Sequence, residues 1–217
     1  TKRIFISHKT ECAIFGKFLV RCFELIGMNV KDSIIFTSMP ELGVPYDQDI
    51  YDYLKSCFRD DLYVIFLFSR AFYNSNVCIA ETGAAWATNK KYSNVVIDMG
   101  FSGIDKPINN SQIGASLADL DADDLQFKLR CLIKNALEAT GFTPLVEDTA
   151  IDSAIITALS EYRNDLIAPV YIPQRRYLAT PICPHCRSQM QLEEDSGNLT
   201  YVCIARNCKY KLPAEIV

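Results

Sequence analysis

The chain has 217 residues, 49% of them hydrophobic, and a formal net charge of -4, so it is neither a disordered nor a fibrous protein. At about 100 to 200 residues per domain, this length allows one well-buried core and a smaller module. The acidic balance argues against nucleic-acid binding, and the longest strongly apolar stretch, the seven residues from Leu62 to Phe68, is far shorter than the roughly 20 that a membrane-spanning helix needs.

The first part of the chain alternates strand-like and helix-like patterns. A short buried strand is predicted from Ile4 to Ser7, and an amphipathic helix follows from Cys12 until Gly27 ends it. The next strand is predicted over Val30 to Phe36. A surface loop rich in Pro and Gly is then predicted over residues 37–45.

A second amphipathic helix, a third strand, a third helix and a fourth strand come next. Apolar side chains at helical steps mark the second helix: Tyr46, Ile50, Leu54 and Cys57. Leu62 to Phe68 is wholly apolar, which is typical of a central parallel strand. The third helix is predicted from Asn76 to Thr88, and the fourth strand from Val95 to Met99. This alternation predicts an α/β fold, a flavodoxin-like parallel sheet flanked by helices, with ligands at the C-terminal ends of the strands.

The rest of the chain predicts two more helices and a small β module. Residues 101–124 are loop-like and acidic, and a helix from Leu125 is ended by Gly141. One stripe of a further helix is apolar: Ile151, Ile155, Leu159, Tyr162 and Leu166. We expect this stripe to pack on its own domain, with self-association as the alternative. The boundaries predicted are an α/β domain over residues 1–140, a helical extension and linker over 141–180, and the β module over 181–217.

The nine cysteines form two groups. Five stand singly, which is typical of small core residues in a reducing compartment: Cys12, Cys22, Cys57, Cys78 and Cys131. The segment from Thr1 to Ile6 lacks the long apolar segment of a secretory signal. We therefore expect a cytoplasmic protein.

The other four cysteines form two close pairs. Cys183 and Cys186 are separated from Cys203 and Cys208 by 16 residues that predict a β-hairpin with its turn at 195–198. Two such pairs can place four thiolates around one Zn(II), so the sequence predicts a structural zinc ribbon. His185 is expected at the surface.

The alternatives for this module concern its chemistry and its partners. The first pair alone resembles a thioredoxin-like redox motif, but the second pair would then be unexplained. Its charged residues balance to zero, which does not favour nucleic-acid binding. We expect contact with a protein partner or support of a dimer.

Several short segments of the N-terminal domain resemble the TIR domain family. They are Phe5-Ile6-Ser7-His8 at the end of the first strand, Gly43 in the second loop, Phe68-Ser69 after the third strand, and Ser75-x-x-Cys78-x-x-Glu81 at the third helix. The resemblance covers roughly residues 1–140 and is greatest to free-standing bacterial members, many of which cleave NAD or cyclise the ADP-ribose product. It implies an NAD glycohydrolase or ADP-ribosyl cyclase acting in bacterial (antiviral) defence or signalling, and assembly into homo-oligomers.

The resemblance makes Glu81 the catalytic residue. Nicotinamide leaves a cationic pyridinium as a neutral molecule, so no general acid is needed, and one anion can stabilise the positive charge that develops on the ribose. Because Glu81 lies in the first turns of a predicted helix, we expect it to be charged at neutral pH. The alternative is an ordinary solvated glutamate near a helix N-terminus.

Other substrate contacts follow with less support from the residues themselves. Ser7 and His8 are expected at the same edge of the sheet and Ser38 at the start of the second loop, all as contacts for NAD as substrate. His8 is equally explained as a hydrogen-bonded structural histidine. Many NAD-cleaving relatives carry Trp where this chain has Val77, so aromatic support is expected from other side chains: Tyr46, Phe72 or Tyr73.

Two further functions are compatible with the same pattern. A non-catalytic TIR module would use residues 38–44 and the helix over 151–166 for self-association. An enzyme like the nucleoside deoxyribosyltransferases would use a glutamate at an N-glycosidic bond of nucleosides.

Overall fold

The computed structural model describes residues 2–105, 107–108, 114–142 and 147–167, and in the C-terminal part residues 183, 185–188, 190–195, 198–205 and 208–213. The chain divides into two compact units, Thr1–Val170 and Tyr171–Val217. Residues 168–180 of the predicted helical extension and linker lie outside the described residues.

The first unit contains a five-stranded parallel sheet, which confirms the predicted α/β fold class. The strands are β1 Arg3–Ser7, β2 Ile34–Ile35, β3 Leu62–Phe68, β4 Lys91–Val96 and β5 Ala115–Ser116. Their order in the sheet is β2-β1-β3-β4-β5. All seven residues of β3 are buried, as expected for a strand covered on both faces.

Helices cover both faces of the sheet. They are α1 Ala13–Leu25, α2 Val30–Ser33, α3 Ile50–Arg59, α4 Asn76–Ala87, α5 Leu125–Thr140 and α6 Asp148–Ile167. The buried residues of α1, α5 and α6 form one apolar core, and those of α3 and α4 form another on the opposite face. Within the described residues, no helix has both the length and the apolar character needed to cross a membrane.

The second and fourth strands differ from the sequence prediction. Val30–Ser33 is a helical turn, and only Ile34 and Ile35 pair with β1. Lys31, Asp32 and Ser33 interrupt the apolar residues of this segment, and they lie in the helical turn, whereas the apolar residues Ile34 and Ile35 form the strand. The fourth strand begins at Lys91, four residues before the predicted start at Val95, and β5 lies in the segment predicted to be a loop.

Capping explains where two helices begin and end. The Asp49 side chain accepts hydrogen bonds from the backbone N–H groups of Tyr51 and Asp52, so α3 begins at Ile50. Tyr46, predicted on this helix, lies outside it and is 95% exposed. Gly141 adopts a left-handed conformation, with φ +69°, and ends α5 as the sequence predicts.

Helix α6 packs on α1 within the first unit. Its residues Ile151, Ile155 and Leu166 are buried in the core. At the edge of this contact, Arg21 donates two hydrogen bonds to the Glu161 carboxylate, at 2.8 and 3.0 Å. The apolar stripe of α6 is therefore used inside its own unit.

The second unit contains a three-stranded antiparallel sheet. Its strands are β6 Met190–Asp195, β7 Asn198–Cys203 and β8 Lys211–Pro213. Asp195 pairs with Asn198, so the predicted hairpin and its turn position are confirmed. The sequence did not predict β8.

Candidate functional site

The topology fixes where a site is expected. In the order β2-β1-β3-β4-β5, β2 lies on one side of β1 and β3 lies on the other. The chain connections therefore run in opposite directions from β1, and the point where the direction reverses, the topological switch point, lies between β1 and β3. Ser7 is the last residue of β1, and it pairs with Phe66 of β3. His8 follows directly. Both predicted residues therefore lie at the C-terminal edge of the sheet, at its switch point.

Glu81 on α4 contacts Ser7. The Ser7 hydroxyl donates to Oε2 of Glu81 at 2.5 Å, across 74 residues of sequence. Helix α4 starts after Ser75, whose hydroxyl accepts from the Cys78 N–H. Glu81 is one and a half turns into the helix and is only 7% exposed, so it lies beneath the surface rather than in solvent.

Burial changes the ionisation of Glu81. Loss of solvation raises its pKa to about 7, and the hydrogen bond from Ser7 opposes that rise. The expectation that Glu81 is charged at neutral pH therefore holds for only about half of the molecules. The sequence-based expectation considered only the helix dipole, which lowers the pKa of a carboxyl group near a helix N-terminus. For a buried carboxyl group such as Glu81, loss of solvation is the larger effect and raises the pKa.

His8 forms a second hydrogen-bonded pair with Ser38. Its Nδ1 lies 3.1 Å from the carbonyl oxygen of Ile6, which can only accept, so Nδ1 carries the proton. Its Nε2 then accepts from the Ser38 hydroxyl at 2.7 Å. Burial lowers the pKa of His8 to about 4, so the imidazole is neutral at neutral pH.

Phe36 packs against the His8 ring, and Gly16 packs against Phe36. The rings of His8 and Phe36 lie 4.4 Å apart between centroids. Phe36 is fully buried, and a Cβ at position 16 would lie 2.3 Å from its ring. Glycine in α1 is therefore required for the helix to approach Phe36. No role was predicted from the sequence for Phe36 or Gly16.

Cys78 joins the two pairs. Its thiol donates to the carbonyl oxygen of His8 at 3.4 Å, and burial raises its pKa to about 11, which keeps it a thiol. The structure thus brings four predicted residues into one set of contacts around the end of β1: Ser7, His8, Ser38 and Glu81. Cys78 was part of the motif, but its linking role was not predicted.

A cleft of about 490 Å³ lies between α3 and α4, and Glu81 lines it. Its walls include Leu54 and Phe58 of α3 and Val77 and Ala84 of α4. Small-molecule sites commonly have this size and a mainly apolar lining with few polar groups.

The aromatic residues suggested from the sequence lie elsewhere. Phe72 is fully buried and Tyr73 stacks on Phe68 at 5.8 Å, whereas Phe58 and Tyr51 line the cleft. The amphipathic pattern of α3 was the signal in the sequence that could have identified Tyr51 and Phe58.

The second unit contains a candidate metal centre. The Sγ atoms of Cys183, Cys186, Cys203 and Cys208 all lie within 4.8 Å of one another. The distance is 3.7 Å from Cys183 to Cys208 and 3.3 Å from Cys186 to Cys203. A tetrahedral ion with Zn–S bonds of ~2.3 Å needs sulfur atoms about 3.8 Å apart, so the four thiols fit such an ion.

Local turns position these thiols. The N–H of Arg187 donates to the Cys183 carbonyl at 2.8 Å, and the N–H of Cys183 donates to the Ser188 carbonyl at 2.8 Å. Hydrogen bonds from Ser188 lower the pKa of Cys186 to about 6, which favours the thiolate that binds metal. His185 is exposed, as predicted, and its ring lies 5.5 Å from that of Tyr210.

Comparison with known proteins finds a similarity that covers part of the chain. No protein-family model matches the chain. A segment of 102 residues is 38% identical to "Uncharacterized protein YddK" of Bacillus subtilis (strain 168). This segment covers 47% of the chain and 38% of that protein, so the chain matches well under half of its relative's length.

Proposed function

We propose that this chain is an enzyme of the TIR kind that cleaves the bond between nicotinamide and ribose in NAD, with Glu81 as the catalytic carboxylate. The observation that carries the proposal is the position of Glu81. It is a buried acid held by Ser7 at the switch point of the sheet, and it lines a cleft large enough for a nucleotide.

The reaction requires one bond to break and one to form. The C1′–N bond breaks, its electron pair passes to the pyridinium nitrogen, and neutral nicotinamide leaves. The ionised carboxylate of Glu81 stabilises the positive charge left on C1′ and the ring oxygen. Water then forms the C1′–O bond and releases one proton, giving ADP-ribose. Attack by an adenine ring nitrogen instead of water would give a cyclic product.

The pKa of Glu81 supports a second role. A carboxyl with a pKa of about 7 is ionised in roughly half of the molecules at neutral pH and can accept a proton from the attacking water. Ser7 holds Oε2 in place and stabilises the ionised form. Neutral His8 adds no positive charge that would oppose a cationic substrate.

His8 and Ser38 have a positioning role in this proposal. Their hydrogen bond attaches the loop after β2 to the end of β1. Phe36 and Leu42 fix the loop further, because the Phe36 N–H donates to the Leu42 carbonyl at 2.8 Å. These contacts would hold the end of β1, and with it Ser7, in position beside Glu81, and assembly of several copies would complete the substrate site.

We propose Zn(II) as the ion of the cysteine cluster. Four thiolates in tetrahedral arrangement are the preferred ligand set of structural zinc. With four protein ligands no position is left for a substrate, so the ion would stabilise the small β-sheet rather than act in catalysis.

A product assay tests the proposed reaction. The full chain is incubated separately with NAD and with purine and pyrimidine deoxynucleosides, and released nicotinamide or base is measured by chromatography. We expect nicotinamide from NAD and no free base from nucleosides. Base release alone would favour a nucleoside-processing enzyme, and concentration-dependent assembly without any product would favour a non-catalytic module.

A further inference from the structure

We propose that the basic end of the α3–α4 cleft, formed by Lys55, Arg59 and Lys90, binds the diphosphate of the dinucleotide substrate. The proposal rests on the proposed cleavage of NAD. It assigns to these residues a substrate-positioning role that is separate from the chemistry at Glu81.

The three cations converge on one end of the cleft. Lys55 and Arg59 are four residues apart on α3, which places them on one face of the helix. The ammonium group of Lys90 donates to the carbonyl of Asp60, the residue after Arg59, at 2.5 Å. That hydrogen bond brings the end of α4 to the end of α3, so Lys90 and Arg59 lie close together.

The charge of this cleft differs from that of the chain. Among the described residues that line it there are three cations and a single carboxylate, Glu81, whereas the whole chain has a net charge of -4. One nearby carboxylate, Asp60, pairs at 3.0 Å with Arg3, a cation outside the cleft lining. Another, Asp52, lies 3.8 Å from Lys55 in an exposed position and offsets part of its charge. A polar but neutral ligand would not need this concentration of positive charge.

The arrangement also fits the order of groups in NAD. Glu81 and Thr88 both line the cleft and are seven residues apart, which corresponds to about 10 Å along α4. In NAD the diphosphate is attached to the 5′ carbon of the ribose that loses nicotinamide. With C1′ beside Glu81, the apolar walls at Phe58 and Ala84 would contact the ribose, and the phosphates would reach the basic end.

The test is a pair of charge-matched double variants of the full chain. In the cleft variant, Lys55 and Arg59 are both replaced by Gln. In the control variant, Lys31 and Lys209, which are exposed and outside the cleft, are replaced by Gln. Binding of ADP-ribose is measured by calorimetry. We expect the cleft variant to bind about tenfold more weakly or worse, and the control to bind as the wild type does.

Kinetics give a second readout. Nicotinamide riboside has the same scissile bond but no phosphate, so both variants should cleave it at the wild-type rate. For NAD, KM should rise in the cleft variant alone, with kcat little changed. Failure of the wild type to bind ADP-ribose, or equal affinity in the cleft variant, would overturn the proposal. Charge-dependent binding without nicotinamide release would instead reject the proposed reaction and retain the anion site.

Discussion

Replacing Glu81 by Gln should stabilise the folded protein, and the gain should grow with pH. Burial raises the pKa of this carboxyl from 4.5 to about 7, so between these values the folded state binds more protons than the unfolded state. Stability therefore falls as pH rises through this window and levels off above it. At about 1.4 kcal/mol per pH unit, ionising the buried group costs about 3 kcal/mol. Gln has a similar size and still accepts from Ser7, but it has no charge to bury.

Urea unfolding measures this difference. The free energy of unfolding is determined for the wild type and for Glu81→Gln near pH 4.5 and near pH 8. We expect the advantage of the variant to be about 3 kcal/mol larger at the higher pH. Glu138→Gln on α5 is the control, because Glu138 is exposed and its substitution should give no such pH dependence. An advantage that is the same at both pH values would refute the assignment of a buried carboxyl with a raised pKa.

Three other outcomes follow from the structure. Nicotinamide release should rise with pH, with a midpoint of about 7, as Glu81 ionises. Ser7→Ala should move this midpoint to higher pH, because the substitution removes the hydrogen bond that favours the anion. An unchanged midpoint would show that Ser7 does not affect the ionisation of Glu81. Metal analysis should find one zinc per chain, lost in Cys203→Ser and retained in Cys131→Ser, and zinc retained in both would contradict a four-thiolate site. Gly16→Ala should lower the free energy of unfolding by about 1 to 3 kcal/mol, measured by thermal unfolding, because the new methyl group meets the buried Phe36 ring. This loss is expected even though Ala is the better helix former. A more stable variant would show that the Phe36 ring can move aside.

The sequence was most informative where one periodicity dominated. The apolar run Leu62 to Phe68 gave β3 with its observed bounds, and the spacing of the last four cysteines gave both the hairpin and the thiol cluster. In these segments, local pattern and tertiary environment favour the same structure.

The sequence was less informative where an element depends on its neighbours. β5 has two residues, Ala115 and Ser116, and exists because Val95 and Val96 of β4 offer hydrogen-bonding partners. Val30 to Phe36 is predicted as one strand, yet only Ile34 and Ile35 pair with β1. The hydrophobic periodicity of a segment does not indicate where the neighbouring strand of the sheet ends.

The candidate site shows the same division. The resemblance to the TIR family singled out Glu81, Ser7 and His8 by their motifs and Ser38 by its loop position, and the structure brings these residues together at one strand end. The ionisation of Glu81 could not be predicted, because its pKa depends on the burial of its side chain rather than on its place in the helix. The cleft between α3 and α4 likewise depends on how two helices that lie on either side of β3 in the sequence pack on the sheet, which no local pattern encodes.

The most direct test compares nicotinamide release from NAD by the wild type, Glu81→Gln and Glu138→Gln near pH 8. Under this condition the Glu81 variant is expected to be the more stable protein, so a lost activity cannot be attributed to unfolding. We predict that the rate falls by a factor of at least roughly 100 for Glu81→Gln and is unchanged for Glu138→Gln. Equal rates for all three proteins would contradict a catalytic role for the buried carboxylate.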